Sequence, residues 1–419
     1  VIAQACCAPA RKAWACSLLV DTSGLSGGAD DAGFEASSSD APADAPADAG
    51  TDGAVWPSAC DRWGGLERTA FWPTRGGCLT HAGRTTLLGP AMPRLASTVP
   101  AGEVSFSSPT IDENGTIYFG TELNTKTTLA VRPDGTVKWA QVTGNVSTAV
   151  SVGADGTLYV PAGTPGAAGI HALAGDGTEK WLAVAPDEVD SCPAIDADGT
   201  VFFGSYAVTS DAGGWALASY PDGGPRWALQ LAGAGGTPAI GADGTLYMIG
   251  GQMLYALTPA GAVKWSVDLA TTCSSPVLGV ADTLYLTCDD GAVHAFGSDG
   301  APRWTYKTNG TTVRGPALAA DGTLYVGASD EGLHAIHPDG TRAWLFAALT
   351  AVGTPLVSGD GTVYAGGANG LLFAVSPDGT KKWSLPLKDA LESQPAIGAD
   401  GTLYVVSRTG ILNAIGNTP

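Results

Sequence analysis

The sequence predicts an all-β fold, an eight-bladed β-propeller of four-stranded antiparallel blades with the ring closed by an N-terminal strand. Three observations predict it. First, an acidic-glycine turn recurs along the chain. It stands as "GADGTLY" at 153–159, 241–247 and 398–404, with related copies at Asn114-Gly115, Asp198-Gly199, Asp321-Gly322 and Asp360-Gly361 and a degenerate Ala281-Asp282. These copies fall about 40 residues apart, the period of a propeller blade. Second, a tryptophan follows each of the first seven turns, at Trp139, Trp181, Trp227, Trp265, Trp304, Trp344 and Trp383. Third, the two counts differ by one. The last unit, "QPAIGADGTLYVVSRTGILNAIG", ends without its Trp strand, while an unmatched extended segment, "PRLASTVPAG" (93–102), precedes the first unit. Pairing that segment with the third strand of the last unit completes the eighth blade and removes the exposed edges of an open array.

The unit at 315–344 justifies each element in order. "GPALAA" is a short strand, Asp321-Gly322 a turn and "TLYVGA" a second strand. "SDEG" is a loop, "LHAIH" a third strand, "PDG" a turn and "TRAW" a fourth strand. Runs of four to six residues rich in β-branched and aromatic side chains, bounded by Asp-Gly, are hairpin signals. In the turn itself Asp accepts local backbone hydrogen bonds and Gly takes the left-handed position. Composition agrees: 59 glycines in 419 residues, with only 15% charged residues.

Four stretches divide the chain. Residues 1–25 are a leader-like segment, in which "AWACSLLVDTSGLSGG" (13–28) resembles the lipobox and first mature residues of bacterial envelope lipoproteins, with Cys16 as the acylated residue. The other reading is an unstructured start, since only three residues separate Arg11 and Lys12 from Cys16, too few for a hydrophobic leader core. Residues 26–59 are an Ala/Asp/Pro-rich acidic linker that cannot bury enough apolar surface to offset its ordering entropy. Residues 60–92 form a pre-domain segment and 93–419 the propeller. Cys60 and Cys78 flank the pre-domain segment and could close a loop. Cys273 and Cys288 bracket "SSPVLGVADTLYLT", a hairpin turning near Val280-Ala281, which would set them nearly opposite on adjacent strands. Eight cysteines point to an oxidising compartment.

The repeat "SSPTIDENGTIYFG", with its later "LAVRPDGTVKW", resembles the pyrroloquinoline-quinone-type (PQQ-like) repeat shared by quinoprotein dehydrogenases and the BamB-type envelope lipoproteins. "FWPTRGGCLTHAGRTTLLGP" (71–90) is similar to a segment that precedes many secreted proteins of that repeat family. The resemblance spans roughly 71–417 and implies the fold, whereas function depends on sites grafted onto it. A quinone enzyme of this kind implies a vicinal disulfide, an acidic base and calcium ligands in the central funnel. The sole Cys-Cys pair is Cys6-Cys7, outside the propeller, and the eight inner-strand segments carry no carboxylate. "DADGT" (196–200) comes nearest to a calcium loop but has Ala207 at the twelfth position, where a Glu ligand would be needed. His171, His294 and His334 share one repeat slot with Tyr255, Phe373 and Asn413, as packing residues do and a ligand set does not. No catalytic residue, cofactor or metal site is expected.

A formal charge of −19 with no basic patch argues against nucleic acid and anionic lipid surfaces, leaving membrane contact to a lipid anchor alone. The Asp-Gly turns share one rim, so recognition is expected on the other, where the loops vary. Blades 1 to 3 carry the longest of these, "GTELNTKTT", "PAGTPGAAG" and "GSYAVTSDAGG". Asp187, Glu188 and Asp190 in "PDEVD", together with Arg314 and Trp215, are the candidate binding residues. The expected protein is a monomeric, non-enzymatic binding or scaffold protein of the bacterial cell envelope, or a secreted one, with a protein or glycan partner. The alternative is a quinoprotein-type oxidoreductase or another enzyme with a degenerate site.

Overall fold

The computed structural model describes Thr74 and residues 81–101, 105, 107–122, 127–163, 168–206, 213–310, 315–330 and 332–418. The chain divides into two compact units, 1–53 and 54–419, and every described residue belongs to the second. Cys16, Cys60, Cys78 and Arg314 lie outside the described residues.

Eight four-stranded antiparallel sheets follow one another along the chain. Seven are consecutive in sequence: blades 1 to 7 begin at Thr110, Ser151, Ala194, Ala239, Val277, Ala317 and Leu356. Blade 8 takes three strands from 396–417, and its fourth is Pro93–Pro100, which pairs antiparallel with Ile411–Asn417. The N-terminal strand therefore closes the ring, as the repeat count predicts.

Each landmark residue has a mechanical task. In the inner hairpin the turn glycine takes a left-handed φ, +77° at Gly244 and +85° at Gly322. The turn aspartate accepts the amide of the following threonine, as Asp243 does from Thr245 at 2.9 Å. "DADGT" is the same turn. Thr200 donates its amide to Asp198, whose other oxygen meets Arg226 at 3.1 Å. Blade 5 reaches the turn by another route, a single 3₁₀ turn at Val280–Asp282 with Asp282 itself at φ +51°.

The tryptophans dock neighbouring blades. Each stands opposite an alanine on its own third strand, for example Trp344 opposite Ala335, and leans on the aromatic ring of the second strand, here Tyr325 at 5.6 Å. Its other side meets the glycine of the next blade's outer turn. A Cβ at Gly379 would sit 2.8 Å from the Trp344 ring, at a φ of +86° that already favours glycine. The indole N–H donates to a carbonyl of the same turn, Pro377 at 2.7 Å. Trp139, Trp227, Trp265 and Trp304 repeat this bond to Gly175, Pro259, Ser298 and Pro338. At the seam Trp383 donates to Pro90 at 2.9 Å, so the approach to the N-terminal strand stands in for an outer turn. Amphipathic outer strands and buried second and third strands place the core between blades, as aromatic and β-branched sheet faces require.

Candidate functional site

The inner strands open onto the axis through a girdle of small polar residues, one from each blade: Ser108, Thr148, Cys192, Thr237, Ser275, Gly315, Thr354 and Gln394. Each precedes the proline, or Ala149 in blade 2, that begins the inner strand. Several link successive blades. Cys192 donates its amide to Thr237 Oγ1 at 3.0 Å, Thr237 to Ser275 Oγ at 3.1 Å, and Gln394 to Ser108 Oγ at 3.0 Å across the seam. Thr148 and the buried thiol of Cys192 lie 2.7 Å apart. These bonds satisfy polar groups that converge where eight strands crowd the axis.

Described residues of the pre-domain segment pack against the inner strands of blades 2, 6 and 7. Thr74 bonds to Ser151 of blade 2 at 2.9 Å. Farther along, Leu318 and Val357 of blades 6 and 7 donate their amides to Ala82 and Gly83, and Thr85 donates back to Val357 at 2.9 Å. His81, Ala82, Arg84 and Thr85 are buried there. His81 lines a small cavity of about 20 Å³, under Thr354 and Gln394, that has room for about one water.

Above the girdle, on the rim opposite the Asp-Gly turns, lies a funnel of about 400 Å³. Glu122 and Asn145 from the loops of blade 1, Glu188 and Asp190 from the loop leading into blade 3, and Tyr206 from the end of its second strand form one wall. Glu392, leading into blade 8, faces them, and Thr354 and Gln394 belong to the floor. No Lys, Arg or His is among the described lining residues.

Individual partners set the electrostatics. Tyr206 donates to Glu188 at 2.9 Å, and burial together with this carboxylate pushes the phenol up. Asp190 accepts a hydrogen bond from Ser147. Glu392 faces Arg408 at 3.6 Å, with the arginine side chain 57% exposed. Glu122 differs: its Oε1 is buried without a hydrogen-bond partner among the described residues. Burial, and then the charge of Asp190, raises its carboxyl above the ordinary range.

The funnel brings together Glu188 and Asp190 of the residues expected from sequence. Asp187, from the same stretch, is not among its lining residues, and Trp215 packs against the hydrophobic core between Ser205 and Gln230. Asn145, Glu392 and Thr354 are additions, while Glu122 and Tyr206 come from the blade 1 and blade 3 loops singled out from sequence without being named there. Aligning the repeats would have exposed several of them. Asp190 and Glu392 occupy one slot, three residues before the inner-strand proline, where other blades have Phe106, Val146, Gly235, Cys273, Val313 and Val352. Glu122 and Tyr206 occupy another, four residues after the second-strand aromatic, where blade 2 has Gly163 and blade 8 Arg408.

Two metal-like features resolve otherwise. Cys288, Asp290 and His294 lie close enough to share an ion, but the Cys288 sulfur is bonded to Cys273. The two cysteines face each other at a Cα separation of 4.0 Å, flanked by the Ser274–Thr287 and Asp289–Thr272 backbone bonds, as in a non-hydrogen-bonded antiparallel pair. In the funnel, no three Asp, Glu, His or Cys ligand atoms of described residues lie within 4.8 Å of one another.

The family model described as outer membrane protein assembly factor BamB matches residues 250–390 and 335–418. No curated protein matches the chain. Among solved structures, the quinohemoprotein alcohol dehydrogenase from Comamonas testosteroni aligns with a TM-score of 0.68 at 14% identity, over 85% of this chain and 82% of that one. A europium-containing methanol dehydrogenase aligns with a TM-score of 0.69 at 13% identity, over 83% of this chain and 98% of that one. Quinohemoprotein alcohol dehydrogenase ADHIIG from Pseudomonas putida HK5 gives 0.69 at 13% identity, over 83% and 80%. These likenesses show a PQQ-like propeller fold, and at such identity the fold alone.

Proposed function

We propose that the chain is a non-enzymatic binding protein of the bacterial cell envelope, a monomer that meets a protein or glycan partner with the loop face of its propeller. One observation carries the reading: a recess of about 400 Å³ on the axis opens on that face, and its wall is built where the repeats stop resembling one another. Long variable loops on a rigid ring are a recognition surface. Tethering through Cys16 would leave the linker of 26–59 to span the distance from the membrane.

The quinone that the fold likeness brings to mind does not fit the described residues. Pyrroloquinoline quinone is itself a polycarboxylate, and the wall it would meet carries Glu122, Glu188, Asp190 and Glu392. A bridging calcium needs six to eight oxygens about 2.3–2.6 Å away, whereas these carboxylates do not converge and three already engage neighbouring side chains. Like charges without a shared cation repel. Titrating the protein with the quinone and Ca²⁺ while following absorbance and intact mass tests the reading. No stoichiometric complex is expected; formation of one overturns it. The partner surface is tested by crosslinking capture from envelope extract, comparing wild type with variants whose blade 1–3 loops are shortened, in which capture is expected to fall.

A further inference from the structure

Blade 5 departs from its neighbours where the loop into its inner strand meets the end of its second strand. The bridge between Cys273 and Cys288 occupies a backbone pairing that Gly235–Gly250 and Val352–Gly367 make in blades 4 and 7 with no cross-link. The blade geometry therefore does not require sulfur at this position. Beside the bridge stand a carboxylate and an imidazole. The ligand atoms of Cys288, Asp290 and His294 all lie within 4.8 Å of one another.

Blade 6 carries the same Asp and His at the same spacing and shows what differs. There His334 Nε2 lies 3.2 Å from both Asp330 oxygens, and Nδ1 meets the Tyr306 hydroxyl at 3.0 Å. In blade 5 the imidazole is fixed through Nδ1, 3.1 Å from Thr305 Oγ1, while Nε2 stands 3.9 Å from Asp290, beyond hydrogen-bond reach. His294 Nε2 is buried without a hydrogen-bond partner among the described residues. Asp290 is also held: Oδ1 accepts the Ala292 amide and Oδ2 the Lys307 ammonium, both at 2.9 Å. A carboxylate oxygen with one hydrogen bond keeps a lone pair for a metal, and a ligating histidine is oriented through its other nitrogen. Only the S–S bond keeps the Cys288 sulfur from joining these two groups.

We propose that the Cys273–Cys288 bridge is the oxidised, closed form of a zinc site: once a dithiol reduces it, the two thiolates, His294 Nε2 and one Asp290 oxygen take up one Zn²⁺. Reduction begins at Cys273, which is part-buried, whereas Cys288 is fully buried. A thiolate of the dithiol attacks the Cys273 sulfur, the S–S bond breaks and Cys288 leaves as thiolate. The dithiol's second sulfur then closes its own disulfide and releases Cys273, so two electrons pass from the dithiol to the bridge. Zn²⁺ displaces the protons of the two thiols. Two thiolates and a carboxylate leave one negative charge on the complex, which Lys307 beside Asp290 offsets. With their Cα atoms 4.0 Å apart, both cysteines reach one ion at the usual Zn–S distance of about 2.3 Å. Two sulfurs, a nitrogen and an oxygen suit tetrahedral zinc, whereas calcium and magnesium call for oxygen alone.

The test uses the full chain, reduced with dithiothreitol and freed of it by anaerobic gel filtration. Thiol titration is expected to find two more thiols than in the Cys273→Ser/Cys288→Ser double variant. Competition with a chromophoric chelator should find one more equivalent of Zn²⁺, a difference that cancels the remaining cysteines. Co²⁺ in place of zinc should give a thiolate charge-transfer band that the double variant and the unreduced protein lack. Affinity should fall about tenfold or more in Asp290→Asn and in His294→Phe, the second of which gives blade 5 the residue that blade 7 carries as Phe373. Asp378→Asn, at an outer turn, should leave it unchanged. Zinc should restore the thermal stability that reduction removes from wild type but not from His294→Phe, and melts of the oxidised variants separate lost binding from lost fold. Failure of the dithiol to open the bridge in the folded protein, zinc uptake equal to that of the double variant, or wild-type affinity in Asp290→Asn or His294→Phe each overturns the site. None of these results bears on capture of a partner through the blade 1–3 loops, so the binding-protein reading stands or falls separately.

Discussion

Blade 8 contains an unfilled tryptophan slot, and filling it should stabilise the ring. Ser97 stands opposite Ala414, as Trp383 stands opposite Ala374 and Trp344 opposite Ala335. Tyr404 supplies the second-strand ring that such a tryptophan would lean on. On the neighbouring blade, Gly135 (φ +84°) presents its bare Cα to Ser97, as Gly379 does to Trp344. Pro133, two residues before that glycine, corresponds to the indole acceptor Pro377. Ser97→Trp would then reproduce the complete inter-blade dock. Fully burying a tryptophan removes about 150–250 Å² from water. The native tryptophans are only partly buried, so about half of that at 25 cal/mol/Å² gives about 2.5 kcal/mol. An aromatic pair with Tyr404 adds about 0.5–1.5 kcal/mol, and side-chain ordering removes about 1–2. The net gain is about 2 kcal/mol, or a rise of about 3–5 °C in Tm. Thermal melts and denaturant midpoints measure it, with Gly135→Val as the second arm of a cycle. Branching at Gly135 should abolish the gain, since a Cβ there would occupy the place of the indole. An unchanged or lower Tm in a correctly folded Ser97→Trp protein would refute the equivalence of the seam to the other seven junctions.

Four further outcomes follow from the same structure. Trp344→Ala removes the dock between blades 6 and 7 and should cost about 3 kcal/mol in unfolding free energy, read from the denaturant midpoint. Replacing both Cys273 and Cys288 by alanine should cost about 3 kcal/mol, the value for a loop of about 15 residues, and reducing agent should lower the Tm of wild type but leave the double variant unmoved. Asp243 is held well below the usual carboxylate range by the Thr245 hydroxyl and by Lys264. Its contribution is present above about pH 4 and lost as pH falls through the folded value, so Asp243→Asn should be slightly less stable at pH 7, by under about 1 kcal/mol for so exposed a pair, with the gap closing in acid. Glu122 has the opposite sign, its carboxyl being raised by burial and Asp190. The folded state favours its protonated form, so Glu122→Gln should be the more stable protein at neutral pH, and melts between pH 4 and 8 should show the advantage vanishing toward the acid end.

The scaffold was readable because each of its instructions is local and repeated. Asp-Gly followed by Thr makes its turn from bonds within four residues, and six copies with two variants reveal a period that no single copy could. Even the seam could be inferred, because a missing Trp strand at one end and a surplus strand at the other are counting facts. The pairing of Cys273 with Cys288 was accessible for the same reason: the hairpin between them is short, and the bridge occupies a contact that is backbone-only at Gly235–Gly250 and Val352–Gly367.

The funnel could not be read in that way, since its residues come from blades 1, 2, 3, 7 and 8, and Glu122 and Glu392 are far apart in sequence. The inner strands carry no carboxylate, because Glu188, Asp190 and Glu392 lie in the loops that lead into them and Glu122 in the loop after a second strand. What the repeats do offer is a null pattern. A slot that is apolar or glycine in six blades has no folding reason to be Asp190 or Glu392 in the other two, where an exposed and a half-buried carboxylate stand at the funnel. The blade geometry tolerates valine at that slot, so the acids are there for the cavity they face. Substituting both together, Asp190→Val with Glu392→Val, should therefore preserve or raise the Tm while lowering crosslinking capture of a partner through the loop face. If that pair instead unfolds the propeller, the acids belong to the scaffold, and the argument from broken repetition fails at its own strongest position.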